Sequence, residues 1–326
     1  MTTSRLKRLT AILLMGLLPC VAMALDKPHN LRLFGHSTLE NPRLELDESD
    51  WRWLRERRLL VMGVSAPDYA PFDLSNDNDF EGITADYTWL ISLILNVPVE
   101  VRRYDTRDEV IEALKLGEVD FVGSANGYEA ADKQLVLSRS YANDQPVLVT
   151  RAGDSHSLSA DLAGKRVAML YHYMQPDAVQ AFYPKAHLLL YGSTHQAIGS
   201  VAFGQADVYL GDAISARYLI NKNHLNNVRM ADFSALEVNP FGFAFTKENL
   251  RLLNIINAAL AVIPTSQQMQ ILRRWSAGDS GFLEADRLRL SDNEQRWLEK
   301  HPKVKVAALD KSCRCHFSMS KGSSSG

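Results

Sequence analysis

LLVMGVSAPDYAPFDLSNDNDFEGITADY, from Leu59 to Tyr87, is the stretch that decides the fold class of the chain. An apolar run from Leu59 to Val64 breaks at a Ser/Ala/Pro/Asp turn, Tyr69 and the Pro71-Phe72 pair follow, and a polar loop closes at Gly82. That pattern predicts a buried strand feeding a loop that holds a ring at the strand's carboxyl end. In open α/β sheets ligands sit in the crevice outside those ends. Tyr69 therefore reads either as loop packing or as one wall of a cleft.

Outward from this stretch, helix and strand patterns alternate. Thr84 to Leu95 carries Tyr87, Leu90, Ile91, Ile94 and Leu95 at helical spacing, Val99 to Tyr104 alternates as a strand, and Arg107 to Leu116 is a helix closed by Gly117. A strand from Val119 to Val122 runs into Gly123-Ser124-Ala125-Asn126, small and polar where a cleft needs backbone access. Upstream, Asp26 to Pro42 reads as an irregular lead-in and Leu46 to Arg58 as a short helix with acids early and arginines late. Downstream, Pro146 to Arg151 is a strand taken as a crossing between two lobes. Strands at Lys165–Leu170, Leu188–Tyr191 and Ala206–Leu210 then alternate with helices at Gln175–Phe182, Ser193–Phe203 and Asp212–Asn221. A strand from Phe241 to Phe245 and helices at Asn249–Val262 and Ser266–Trp275 complete this part.

Two internal repeats add to the architecture. Leu116-Gly117-Glu118-Val119-Asp120-Phe121-Val122-Gly123-Ser124 is echoed by Phe203-Gly204-Gln205-Ala206-Asp207-Val208-Tyr209-Leu210-Gly211-Asp212. Two lobes of one α/β make would then present Ser124 from one side and Asp212 from the other. Two unrelated helix-to-strand turns would give the same pattern. At longer range, Leu46 to Val64 aligns without gaps on Leu290 to Ala308, with Arg52, Trp53 and Leu54 matched by Arg296, Trp297 and Leu298. A second copy of the domain is expected to begin there and to be cut short.

Met1 to Ala24 has Arg5, Lys7 and Arg8 before an apolar run and small residues at its end, which predicts a cleaved secretory signal peptide and an exported product. A net charge of −2 shows no basic excess and argues against a nucleic-acid partner. No later stretch has the ~18 consecutive apolar residues of a membrane span. Of the three cysteines, one lies in the signal segment and Cys313 and Cys315 lie in the tail, so neither a disulfide in the body nor a metal site is expected. No nucleophile stands beside a base, so no catalytic set and no cofactor are expected.

Val61-x-Gly63-Val64 with Tyr69-Ala70-Pro71-Phe72, Gly82-Ile83-x-x-Asp86, Leu114-x-x-Gly117-x-x-Asp120, Leu137-Ser138-x-x-Tyr141 and Asp161-Leu162-x-Gly164-Lys165-x-Val167 follow one another in the order of a known family. The chain resembles the type II periplasmic solute-binding domains, the Venus flytraps of family 3. The resemblance implies a bilobal α/β fold, two lobes joined by two hinge strands near Val147–Arg151 and Glu237–Phe241. The expected layout is a signal peptide at 1–24, a lead-in and short helix at 25–58, and the flytrap at 59–277. Within the flytrap, lobe 1 is 59–148 with 243–277 and lobe 2 is 149–242. A linker and truncated second flytrap occupy 278–326. The segment Leu290 to Pro302 is similar to the joint between tandem flytraps in sensor histidine kinases of the BvgS type. The expected function is therefore periplasmic ligand sensing for a two-component receptor, held at the inner membrane by parts outside this chain. Its partners would be a small solute or none, and a second flytrap or a receptor homodimer. A free binding protein of an amino-acid-type transporter is the alternative, and an enzyme is the rival class.

The family holds an amino-acid zwitterion with an aromatic, an arginine fork on the carboxylate, hydroxyls at a lobe 2 helix terminus and an aspartate on the ammonium. By position the resemblance assigns Tyr69 to the aromatic, Ser124 and Asn126 to the lobe 1 polar contacts and Asp212 to the ammonium; Phe72 is a further candidate contact beside Tyr69, and Tyr171, His172 and Tyr173 form a lobe 2 rim where the family has a small glycine and hydroxyl residues. The place of the arginine falls near Ala131. Asp212 also reads as a plain helix cap, and His172 as an exposed loop histidine. An ordinary α-amino acid is thus a poor expectation. Either a different solute, a cation or an aromatic, fills the cleft, or nothing does and the domain is a mechanical part.

Overall fold

The computed structural model describes residues 28–39, 43–154, 158–237 and 240–277; the expected signal peptide and the second-copy segment from Leu290 lie outside the described residues. In chain order the first lobe contributes β1 (His29–Leu33), α1 (Glu48–Arg57), β2 (Leu60–Ser65), the hairpin β3 (Leu74–Asn76) and β4 (Asp79–Glu81), α2 (Ile83–Leu95), β5 (Val99–Tyr104), α3 (Arg107–Lys115), β6 (Phe121–Ala125), the single turn α4 (Gly127–Ala130) and β7 (Leu135–Leu137). The second lobe holds β8 (Pro146–Arg151), β9 (Arg166–Leu170), α5 (Pro176–Phe182), β10 (His187–Tyr191), α6 (Thr194–Ala202), β11 (Val208–Asp212), α7 (Ala213–Lys222) and β12 (Val228–Phe233). The chain then returns to the first lobe through β13 (Gly242–Thr246), α8 (Leu250–Ala261) and α9 (Thr265–Arg274).

The strand order is β3-β4-β1-β5-β2-β6-β13-β7 in one sheet and β10-β9-β11-β8-β12 in the other. β2 is flanked in parallel by β5 and β6; Leu60, Met62 and Val64 on one face are at most 1% exposed, and on the other Gly63 and Ser65 are buried and Val61 half-buried. Burial on both faces explains why the run reads as continuously apolar. The bilobal α/β arrangement expected from the resemblance is the observed one.

Three features differ from the sequence reading. The lead-in is not irregular throughout, because β1 sits inside the first sheet, antiparallel to β5 and parallel to β4, with Leu31 buried. The polar loop before Gly82 contains the β3–β4 hairpin. The first crossing also lies earlier than expected, since all of β8 pairs with β11 and β12 in the second sheet. The chain passes between lobes over Ala142 to Gln145 instead, where Ala142 forms a bridge with Phe241 of the returning segment.

The short repeat is real in three dimensions. Gly117 and Gly204 have φ of 73° and 74°, and behind them Glu118 and Gln205 donate N–H to Ala113 and Ser200 at 2.9 and 2.8 Å. The left-handed glycine lets each helix stop and turn directly into its strand. Asp120 and Asp207 then do the same work at the strand starts: each carboxylate accepts a neighbouring strand's N–H, from Val61 and Arg166 at 2.8 and 2.9 Å, and pairs with an arginine, Arg57 and Arg166.

The first lobe is also tied across long sequence distance by Asp86 on α2, which is fully buried. Its carboxylate accepts His36 N–H at 2.7 Å, Arg274 Nη1 at 2.7 Å and Trp275 Nε1 at 2.8 Å. Replacing it leaves an indole N–H, an amide and part of a guanidinium without their acceptor, a loss typical of about 3 kcal/mol. Asp86→Ala is therefore expected to lower the unfolding free energy by about 3 kcal/mol in urea titration; a change below about 0.5 kcal/mol, the scale of an ordinary surface substitution, would show that the tie contributes little.

Candidate functional site

The loop after β2 is fixed by the helix that follows it. Pro71 and Phe72 offer their carbonyls to the N–H groups of Ile83 and Thr84 at 3.0 and 3.1 Å, so the loop caps the amino end of α2. Gly82 sits between them with φ 118°, and a Cβ there would lie 2.2 Å from the Phe72 carbonyl oxygen. Only glycine allows that approach. The result holds Tyr69 and Phe72 on the side of the first lobe that faces the second.

Tyr69 does not line an open cleft. Its hydroxyl donates to Asp212 Oδ2 of the other lobe at 2.9 Å, and both residues are buried. Asp212 is at once a cap and a cross-lobe partner, for its Oδ1 accepts the Ser215 N–H at 2.6 Å at the start of α7. Phe72 stacks on Phe241 of the second crossing with centroids 4.0 Å apart, and Tyr69 packs edgewise on Phe241 and His172. Tyr173 donates to Asp144 Oδ2 at 2.7 Å, on the first crossing. Tyr171 crosses back, its hydroxyl accepting the Arg107 N–H at 3.1 Å at the amino end of α3, and Gln175 Nε2 donates to the Tyr128 carbonyl at 3.1 Å. Side chains of the protein itself thus fill the meeting surface of the lobes around Tyr69 and Asp212.

His172 is not the exposed loop histidine read from the sequence; it is 4% exposed. The rings of Tyr69, Tyr128 and Tyr171 surround it with centroids at 5.8, 6.4 and 4.8 Å. Burial, with the Arg107 charge adding to it, holds its pKa well below the usual histidine value and keeps it neutral.

Ser124 and Asp212 do not meet as the repeat suggested. Ser124, held at φ 46°, donates its hydroxyl to Asp73 within the first lobe, and its N–H donates to the Tyr141 hydroxyl at 3.1 Å. Burial raises the Asp73 pKa to about 6, against the lowering effect of Ser124, Thr84 and Arg107. Asn126 is used as the cap of α4, its side chain accepting the Tyr128 N–H at 2.9 Å.

The sequence reading missed Arg107, Glu129, Asp144 and Phe241. Arg107 and Glu129 form a buried pair at 2.7 Å, with Arg107 Nη2 also on the Gly123 carbonyl at 3.1 Å and Glu129 Oε2 accepting the Asn126 N–H at 2.8 Å. A signal for Arg107 existed: an arginine in the first turn of a helix opposes the macrodipole and needs another reason to be there. Ala131, at the expected arginine position, lies on the wall of an apolar groove of about 300 Å³ with Ala130, Met174, Val179 and Leu236, which offers no fork for a carboxylate. Among the described residues no cluster of His, Cys, Asp and Glu has the arrangement of a metal site.

With this geometry in place, comparison with known proteins is informative. The sequence matches the bacterial extracellular solute-binding proteins, family 3, over residues 60–278. It is 40% identical over 280 residues to the virulence sensor protein BvgS of Bordetella bronchiseptica, covering 86% of this chain and 23% of that protein, so the chain spans less than a quarter of its relative. The fold is similar to the crystal structure of the Bordetella pertussis BvgS periplasmic domain, with a TM-score of 0.72 and 36% identity over 84% of this chain and 53% of that one. It is also similar to the BvgS VFT2 domain, with a TM-score of 0.66 and 28% identity over 72% of this chain and 100% of that one.

The Arg107–Glu129 pair can be tested apart from any ligand. Glu129→Ala strands a buried guanidinium and is expected to cost about 3–5 kcal/mol of stability, read from the denaturant midpoint at unchanged slope. A loss below about 1 kcal/mol would mean that water or another acceptor reaches Arg107.

Proposed function

The chain belongs to the bacterial extracellular solute-binding proteins of family 3, and from that membership we propose that it is the periplasmic sensing domain of a two-component sensor histidine kinase whose cleft is held shut by its own side chains. The observation that carries this reading is the Tyr69–Asp212 hydrogen bond between lobes. The positions assigned to a ligand's aromatic wall and to its ammonium are bonded to each other, so closure does not wait for a solute. Arg107 already has a carboxylate in Glu129, and Ala131 supplies none of the charge that grips an amino acid. Likeness to a virulence sensor protein favours the receptor reading over a free transporter component.

In this role the domain runs from the β1 strand through α9, with the lead-in strand included, and is non-enzymatic; any kinase activity belongs to a part of the receptor outside this chain. Its partners are a second flytrap domain or a second receptor copy. Among the described residues no helix is long and apolar enough to cross a membrane. A solute-dependent variant of the reading, with Tyr69, Phe72, Ser124, Asn126, Tyr171, His172, Tyr173 and Asp212 as contacts, requires the lobes to part first. It is supported by Asp212, which has no cationic partner among the described residues.

Two measurements test the proposal. A thermal-shift screen of the full chain against the common amino acids is expected to show no stabilisation, and a rise of several degrees with any α-amino acid would overturn the self-closed reading. Tyr69→Phe removes a buried hydrogen bond to a carboxylate, worth about 1.5–3 kcal/mol. It is expected to shift the population at least about tenfold toward an open form, seen as an increased radius of gyration in small-angle scattering.

A further inference from the structure

Two carboxylates are buried together where the lobes join. Asp212 ends β11 and is fully buried, while Asp144 lies in the first crossing and is 4% exposed. Asp212 is in register with Pro146, two residues beyond Asp144, and Ala213 N–H donates to the Gln145 carbonyl at 3.0 Å. Among the described residues no ion pair reaches either carboxylate; the polar groups that face them are hydroxyls and amides.

The two are not equivalent. Each Asp212 oxygen accepts from a donor, Oδ2 from the Tyr69 hydroxyl and Oδ1 from the Ser215 N–H, and the residue sits at the amino end of a ten-residue helix; these favour its charge against the burial that raises its pKa. Asp144 receives the Tyr173 hydroxyl on Oδ2, with the backbone N–H of Gln145 as a weaker neighbour, and its Oδ1 is buried with no hydrogen-bond partner. A carboxylate in that setting is the costlier of its two forms, because a second negative charge is buried beside the first. We propose that Asp144 carries a proton whenever the lobes are closed, and that the Asp144–Asp212 pair is a proton-operated latch on closure. Opening hydrates Asp144, which releases its proton to solvent; closing takes one up.

Burial and the neighbouring Asp212 charge push the Asp144 pKa well above the ordinary carboxylate range. A group that binds its proton more tightly in the closed form stabilises that form at low pH, and the stabilisation is lost as pH rises through the raised value. The other titratable groups around the pair are Tyr69, Tyr173 and Tyr209, whose hydroxyls burial pushes far up and so keeps neutral. His172, packed on Tyr69, acts in the opposite sense: its lowered pKa stabilises closure above the usual histidine range and opposes it as pH falls. Arg107 and Asp73 belong to the separate polar set of the first lobe.

The latch rests on the self-closed reading above, and small-angle scattering of the full chain between about pH 5 and about pH 8 separates the two. The wild type is expected to expand as pH rises. Asp144→Asn, which cannot ionise, is expected to stay closed over the same range, and since His172 is common to both proteins the difference between them reports Asp144 alone. Tyr173→Phe removes a donor that favours the charged form, so its opening is expected about one pH unit higher than in the wild type; this holds the test open should the asparagine variant not fold. A wild type that stays closed at every pH, or an asparagine variant that opens with the wild type, overturns the latch and leaves the self-closed sensor standing. A wild type open at every pH overturns both.

Discussion

A carboxylate cannot leave water without donors to replace it, and the closed arrangement of this protein is organised around meeting that requirement at Asp212. One donor is local, the N–H of Ser215 in the helix that Asp212 caps, and the other is the Tyr69 hydroxyl from the opposite lobe. The second donor exists only while the lobes touch. Closure therefore supplies this side chain's second donor, alongside the cross-lobe bonds of Tyr171 and Gln175. The aromatic packing of Phe72 on Phe241 adds apolar burial on the same surface, and it does so at the crossing segment itself.

Placement of Tyr69 depends in turn on backbone carbonyls. The loop that carries it ends by capping α2, and the cap is possible because position 82 has no side chain. A chain of dependence runs from one glycine, through the start of a helix, to a hydroxyl in the opposite lobe's reach. The two short lobes' motifs around Gly117 and Gly204 show the same economy: a left-handed residue stops the helix, and an aspartate at the next strand ties it to its neighbour.

Much of the fold was legible because its strands and helices keep their periods and are punctuated by glycine and proline. β5 and β8 were read to the residue, while β1 was not, since five residues with only Leu31 turned fully inward carry too little pattern. Pro146 to Arg151 was recognisable as a strand, but which sheet it joins is set by pairing with β11 and β12, which composition does not encode. At the site, position picked out Tyr69 and Asp212 but could not say that they bond to one another. Burial of His172 depends on three tyrosines brought together from separate segments. Asp144, between Asn143 and Gln145, has nothing local to distinguish it from a surface residue.

Asp86 accepts from His36 near the start of the described chain and from Arg274 and Trp275 near its end. Both strands of chain that lead away from the domain are thus clamped on one rigid body, and the second lobe is reached only through the two crossings. A rotation of the second lobe about the crossings would therefore leave both of these segments fixed on the first lobe.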